Sequence, residues 1–112
     1  MNKEDLVSVI MPTYNAGKYL ADSMNSILNQ TYKNLELLIT DDASTDPTTL
    51  QLLKEFASKD ERVNILYLKE NHGAGYARNK SIERAKGRYI AFCDSDDRWT
   101  TDKLEKQIAF MN

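Results

Sequence analysis

The chain has 112 residues and a mass of 12.8 kDa, room for one domain, and its 15 Lys and Arg against 17 Asp and Glu leave a formal charge of −2. That near balance offers no basic field for a nucleic-acid backbone and no polybasic stretch for an anionic membrane. Four Gly, two Pro and 41% hydrophobic residues describe a folded chain, while a single cysteine and a single histidine exclude an internal disulfide and a zinc set, so any metal must be held by oxygen.

The first apolar run, residues 7–11 (VSVIM), has the length of a buried strand. Asn15 then reads as a helix N-cap, because Leu20, Met24, Ile27 and Leu28 follow at i, i+4, i+7 and i+8 on one helical face that ends near Gln30. A second run, residues 35–40, precedes Ser44, Thr45 and Asp46, and Pro47 suits the first position of a helix with Leu50, Leu53, Phe56 and Ala57 inward. A third run, residues 63–68, leads to a helix over 74–86 with Ala77, Ile82 and Ala85 inward and Gly87 closing it. The fourth run, residues 89–93, is followed by a helix beginning after Thr100 or Thr101, with Leu104, Ile108 and Met111 on one side. The apolar runs are near-continuous, as in strands covered on both faces. Four β-α pairs with right-handed crossovers predict an α/β, doubly wound, mainly parallel sheet flanked by helices, with strand order 3-2-1-4. No repeat or linker divides it, so residues 1–112 are one domain.

In such sheets ligands bind beyond the carboxyl ends of the strands, where strand order reverses. The segments to read are therefore 12–15, 41–44, 69–73 and 94–97. Acidic residues crowd them. Asp94-x-Asp96 is a suitable oxygen pair for Mg²⁺ or Mn²⁺, which complete their shells with substrate phosphates; equally, the two aspartates could cap a turn or pair with Arg78 or Arg98. Of Asp41 and Asp42, one is expected to organise the turn and the other to face the crevice and accept a ligand N–H. Tyr14 is placed either to stack on a planar base or to pack the first loop onto the sheet. Gly73 and Gly75 open the third helix with Arg78 close behind, which suits a diphosphate, although Arg78 could instead neutralise the late aspartates. As a dinucleotide fingerprint this segment fails, since the third glycine is missing and it follows the third strand. His72 is read as a loop residue and Cys93 as an inert strand residue.

Taken together, residues 7–15 (VSVIMPTYN), 26–32 (SILNQTY), 36–46 (ELLITDDASTD), 77–79 (ARN) and 85–97 (AKGRYIAFCDSDD) closely resemble the family-2 inverting glycosyltransferases with the GT-A fold. The resemblance runs from Val7 to Asn112, in order. It implies a Rossmann-like half that binds a nucleotide-diphospho-sugar donor, typically UDP-linked, with Mg²⁺ or Mn²⁺. Carried over, Pro12 and Tyr14 line the base pocket, Asp42 accepts a hydrogen bond from the base, and Arg78 lies near the nucleotide or braces the acidic loop. Asp94 points toward the ribose and sugar, Asp96 contacts the metal with Asp94 as a second candidate ligand, and Asp97 completes the pattern. The acceptor would be a saccharide or lipid-linked saccharide. The family's general base lies well after the D-x-D segment, so it is expected outside this chain, in an acceptor-binding half that could also carry membrane contacts. The expected location is the cytoplasm, peripheral at most to the inner face of the membrane. Two competing readings are a non-catalytic nucleotide-binding module and a Mg²⁺-dependent phosphohydrolase using Asp94 and Asp96. The second is disfavoured because such enzymes carry their D-x-D after the first strand.

Overall fold

Residues 5–111 are described by the computed structural model, apart from the side chain of Met111, which lies outside the described part. Eight elements alternate along the chain: β1 (Val7–Thr13), α1 (Tyr19–Leu28), β2 (Leu35–Asp41), α2 (Pro47–Lys59), β3 (Val63–Tyr67), α3 (Ala74–Arg84), β4 (Tyr89–Phe92) and α4 (Lys103–Met111). The strands form one parallel sheet in the order β3-β2-β1-β4, as the sequence predicts. Among the described residues no helix is long and apolar enough to cross a membrane.

The two central strands account for the core. Val9, Ile10 and Met11 of β1 and Leu37 and Ile39 of β2 are fully buried, and Leu20, Met24 and Ile27 of α1 close over one face. Each such side chain contributes about 1.5–3 kcal/mol relative to exposure. The outer strands depart from the expected burial on both faces. In β4, Ile90 and Phe92 are about half exposed and alternate with the partly buried Tyr89 and Ala91, the period-2 pattern of a strand covered on one side only. Asn64 and Tyr67 of β3 are likewise exposed.

Register explains why the sheet opens where it does. β1 and β2 pair from Val7↔Leu35 to Thr13↔Asp41, but β1 and β4 stop at Ile10↔Phe92. Backbone groups of a strand point alternately to its two neighbours. The Thr13 carbonyl accepts from Asp42 N on the β2 side, and that of Ile10 from Cys93 N on the β4 side. Pro12 is therefore turned toward β4 just beyond the last β1–β4 pair, so its missing N–H costs no ladder bond. β1 thus includes Pro12 and Thr13, which the sequence pattern had put in the following loop.

Several local expectations are corrected. Asn15 does not cap α1; it has a left-handed backbone (φ 47°), and Lys18 holds the cap position without a side-chain bond. In α2 it is Thr49 and Leu53 that are buried, with Leu52 and Phe56 packing alongside, while Leu50 is half-buried and Ala57 is exposed. In α3 the inward pair is Ala77 and Ser81, four residues apart, and Ile82, one step round the helix, is exposed. Ser81 Oγ lies 2.8 Å from Thr40 Oγ1 and donates to the Leu38 carbonyl at 3.1 Å, so a polar contact docks this helix on β2. Gly87 does not close α3, whose C-cap is Ala85 in extended conformation. A Cβ on Gly87 would lie 2.6 Å from Ser8 N and 2.8 Å from the Leu6 carbonyl, so the glycine lets the chain pass against β1.

Candidate functional site

Where β1 and β4 part, a crevice of about 520 Å³ opens at the carboxyl edge of the sheet. It has the size expected of a small-molecule site. Pro12, Tyr14, Asp42, Arg78, Asp94 and Asp96, the six residues singled out in the sequence, all line it, joined by Thr13, Asn15, Ala16, Tyr19, Ala74 and Ser95. A second hollow of about 600 Å³ lies between β4 and α4, lined by Ile90, Phe92, Trp99 and Phe110 with Lys103 and Lys106 at hand. Its ionisable lining residues among those described are the two lysines, whereas the first crevice gathers Asp42, Asp94 and Asp96 with Arg78.

One wall of the crevice is built from the loops after β1 and β2, which are bonded to one another. Asp41 is buried; its carboxylate accepts from Thr13 Oγ1 at 2.7 Å, Ser44 Oγ at 2.6 Å and Ser44 N at 2.9 Å. Ser44 Oγ in turn accepts from Asn15 N, while the Asn15 side-chain oxygen accepts from Thr45 N and Asp46 N, each bond 2.9 Å. Asp46 caps α2, and the side-chain and backbone donors of Thr49 hold its carboxyl below the usual carboxylate range. Gly17 N donates to Thr49 Oγ1 at 2.8 Å, tying the far end of the β1–α1 loop to the same helix. Tyr14 projects from this braced loop with about half its surface exposed.

Asp42 is buried yet borders the crevice, and its two oxygens accept from His72 N at 2.7 Å and Gly73 N at 2.8 Å. The structure divides the two acids: Asp41 organises the turn, while Asp42 borders the crevice and also secures the loop before α3, and each carboxylate oxygen can accept more than one bond. His72 is exposed in that loop, where its ring stacks on Tyr76 with centroids 4.4 Å apart.

The opposite wall is the loop after β4. Asp94, Asp96 and Asp97 are exposed, and one carboxylate oxygen of each lies within 4.8 Å of the others. Arg78 reaches across from α3 to Asp94 at 3.3 Å, in a pair open to solvent on both sides. Three carboxylates so close repel one another, and a divalent cation with oxygen preference is the ligand such a set fits. Cys93, beneath them, is buried; desolvation, reinforced by the neighbouring Asp97, pushes its thiol up to about 12, which keeps it protonated and unreactive.

Sequence reasoning did not find the bracing role of Asn15, nor the placement of Tyr19 and Ala74 on the crevice. The left-handed backbone at Asn15 had a signal, because Asn tolerates that region better than other non-glycine residues.

Comparison with known proteins identifies the family and the fold. Residues 8–112 match the family described as Glycosyl transferase family 2. The chain is 49% identical over 106 residues to the Escherichia coli UDP-Glc:alpha-D-GlcNAc-diphosphoundecaprenol beta-1,3-glucosyltransferase WfgD, covering 95% of this chain and 41% of the relative. Among solved structures, S. aureus TarS in complex with UDP superposes with TM-score 0.85 at 35% identity, covering 94% of this chain and 31% of that one. The Pyrobaculum calidifontis mannosyltransferase PcManGT, in complex with GDP-Man and Mn²⁺, superposes with TM-score 0.85 at 27% identity, covering 94% of this chain and 32% of that one. This chain thus spans about two fifths of the length of its curated relative and about a third of these structures. Its parallel sheet in the order 3-2-1-4 is that of GT-A glycosyltransferases.

Proposed function

The chain belongs to glycosyl transferase family 2, and we propose that residues 1–112 form the donor-binding portion of an enzyme that transfers a sugar, with inversion, from a UDP-linked donor to a saccharide or lipid-linked acceptor. The observation that carries this reading is the convergence of Pro12, Tyr14, Asp42, Arg78, Asp94 and Asp96 on one crevice. UDP in TarS and the UDP-Glc of WfgD support the uridine donor, and Mn²⁺ in PcManGT supports the metal. The diphosphoundecaprenol acceptor of WfgD supports a lipid-linked acceptor, and with it a place for the whole enzyme at the cytoplasmic face of a membrane.

Each residue has a task set by its surroundings. Tyr14, exposed on a braced loop, offers its ring to the base. Asp42, held still by two backbone donors, accepts the N–H of the base and so discriminates among bases by a fixed acceptor. Arg78 and the N-terminus of α3 present positive potential toward the diphosphate. Asp96, with Asp94 and Asp97 beside it, would hold Mg²⁺ or Mn²⁺. When bound, the cation acts as a Lewis acid that offsets the negative charge developing on the departing diphosphate. Asp94 lies on the sugar side, bridged to the nucleotide side through Arg78. Inversion by single displacement needs a base at the acceptor hydroxyl, a task this reading assigns to the acceptor-binding part of the longer enzyme.

Calorimetry with UDP and Mn²⁺ on the folded 112-residue chain tests the reading. Binding strengthened by Mn²⁺ and weakened by both Tyr14→Ala and Asp96→Ala is expected. Absence of UDP binding, or binding indifferent to both substitutions, would refute it.

A further inference from the structure

The face of α1 toward the acidic loop carries three polar side chains in an otherwise apolar row. Ser23, Ser26 and Gln30 stand at i, i+3 and i+7, within one stripe of the helix and its end. Ser23 and Gln30 are buried. A buried polar group is tolerated when it is bonded, and here each bonds backbone of the segment that follows β4. Ser23 Oγ donates to the Ser95 carbonyl at 2.8 Å, between Asp94 and Asp96. Ser26 Oγ accepts from Trp99 N at 3.1 Å and donates to the Ser23 carbonyl at 2.7 Å. Gln30 uses both ends of its amide, donating to the Thr100 carbonyl at 2.6 Å and accepting from Leu104 N at 3.0 Å. The row continues into Thr31, whose N–H donates to the Thr101 carbonyl at 2.8 Å. Residues 93–102 contain no helix or strand, and among the described residues their other backbone–backbone bonds are few: Cys93 N to the Ile10 carbonyl, the Asp97 N to Asp94 turn, and the Thr100 and Asp102 carbonyls accepting from Lys103 N and Lys106 N at the start of α4. From Asp94 to Trp99, where the carboxylates sit, the outside contacts that set the loop come chiefly from one helix face.

We infer that Ser23, Ser26 and Gln30 are positioning residues for the acidic loop, a rail that holds Asp94, Asp96 and Asp97 converged against their mutual repulsion. The repulsion matters because a loop free to relax would spread its carboxylates and would have to be regathered whenever a cation binds. Prepaid ordering is what separates a tight site from a loose one. None of the three touches the crevice, so the rail sets metal affinity while leaving the base pocket alone. This inference rests on the donor-site reading for the metal at Asp94, Asp96 and Asp97, but not for the nucleotide, and the loop is tested without either.

The test uses Ser26→Ala and Ser23→Ala, with Ser26→Thr as the conservative control that keeps the hydroxyl. Mn²⁺ alone is titrated by electron paramagnetic resonance, UDP without metal by calorimetry, and the Trp99 and Leu104 amides are followed by hydrogen exchange. Weaker Mn²⁺ binding by about fivefold to tenfold in both alanine variants is expected, with metal-free UDP affinity within about twofold of the parent. Trp99 amide exchange should quicken by about tenfold or more in Ser26→Ala, and Ser26→Thr should restore both readings. Unchanged Mn²⁺ affinity with unchanged Trp99 exchange overturns the rail, even if UDP binds normally. Failure of the parent chain to bind UDP while Mn²⁺ binding still responds to the substitutions overturns the nucleotide reading and supports the rail. A folded parent that binds neither overturns both.

Discussion

The two acidic loops at the carboxyl edge of the sheet use the same residue in opposite ways. At the end of β2, Asp41 and Asp42 are buried and accept five hydrogen bonds, two from Ser44 of the same loop and three from Thr13, His72 N and Gly73 N of two other segments. After β4, Asp94, Asp96 and Asp97 are exposed, and among the described residues their one ion pair is the open contact of Asp94 with Arg78. A buried carboxylate surrounded by donors is a structural anchor, because removing it strands every donor that points at it. An exposed set with few donors has charge to spare for a cation. The difference separates a wall fixed by its own hydrogen bonds from a wall whose charge is left open to a ligand, which the proposed reading takes as the base side and the metal side of the donor site.

The sharpest way to break this contrast is Asp41→Ala. It would leave the buried Thr13 Oγ1 and the two donors of the half-buried Ser44 without their acceptor, and about 3 kcal/mol of stability should be lost in urea unfolding. A loss below about 0.5 kcal/mol would show that the anchor is not one. Asp96→Ala is the mirror experiment: Mn²⁺ affinity should fall by about tenfold or more while stability moves by less than about 0.5 kcal/mol. Tyr14→Ala should weaken UDP by about tenfold with or without Mn²⁺, since stacking on an aromatic ring contributes about 1–3 kcal/mol per base. Tyr14→Phe should leave the affinity nearly unchanged. The smallest effect is one of pH, and lies on the base-side wall. Thr49 holds the folded-state Asp46 carboxyl below its unfolded value, so the stability this cap contributes is complete above the unfolded value of about 3.9 and lost as pH falls through the folded one. The melting temperatures of the parent and Asp46→Asn should therefore differ by a constant amount from neutral pH down to about 5 and converge below about 4.

Much of the fold was legible because its signals are local. Four apolar runs separated by helical periods, with Pro47 at a helix start, suffice for an alternating α/β chain, and right-handed crossovers then leave few ways to order the sheet. The candidate site was legible to the same depth, since ligand-facing residues of such a sheet sit just past its strands. The misreadings share one cause. Gly87 after a helix looks like a C-cap, but its reason lies 79 residues away at Ser8, whose Oγ accepts the Gly87 N–H at 2.8 Å. Asn15 before a helix looks like an N-cap, yet its amide oxygen serves Thr45 and Asp46 across the crevice wall. Ile82 and Ala57 fit a helical stripe in sequence, but the sheet meets α3 and α2 about one residue off that stripe.

What the sequence determined by itself is the set of elements, their parallel order and the crowding of carboxylates at one edge, because apolar periodicity and turn chemistry act over a few residues. Which carboxylates anchor the structure and which remain open to a ligand was decided only in three dimensions. The donors that engage Asp41 and Asp42 include Thr13, His72 and Gly73, 28 to 31 residues distant in the chain, and the α1 side chains bonded to the segment after β4 lie 70 to 73 residues before their partners. Hydrogen bonds are satisfied by whatever lies within about 3 Å, and sequence patterns of short range carry no record of such partners.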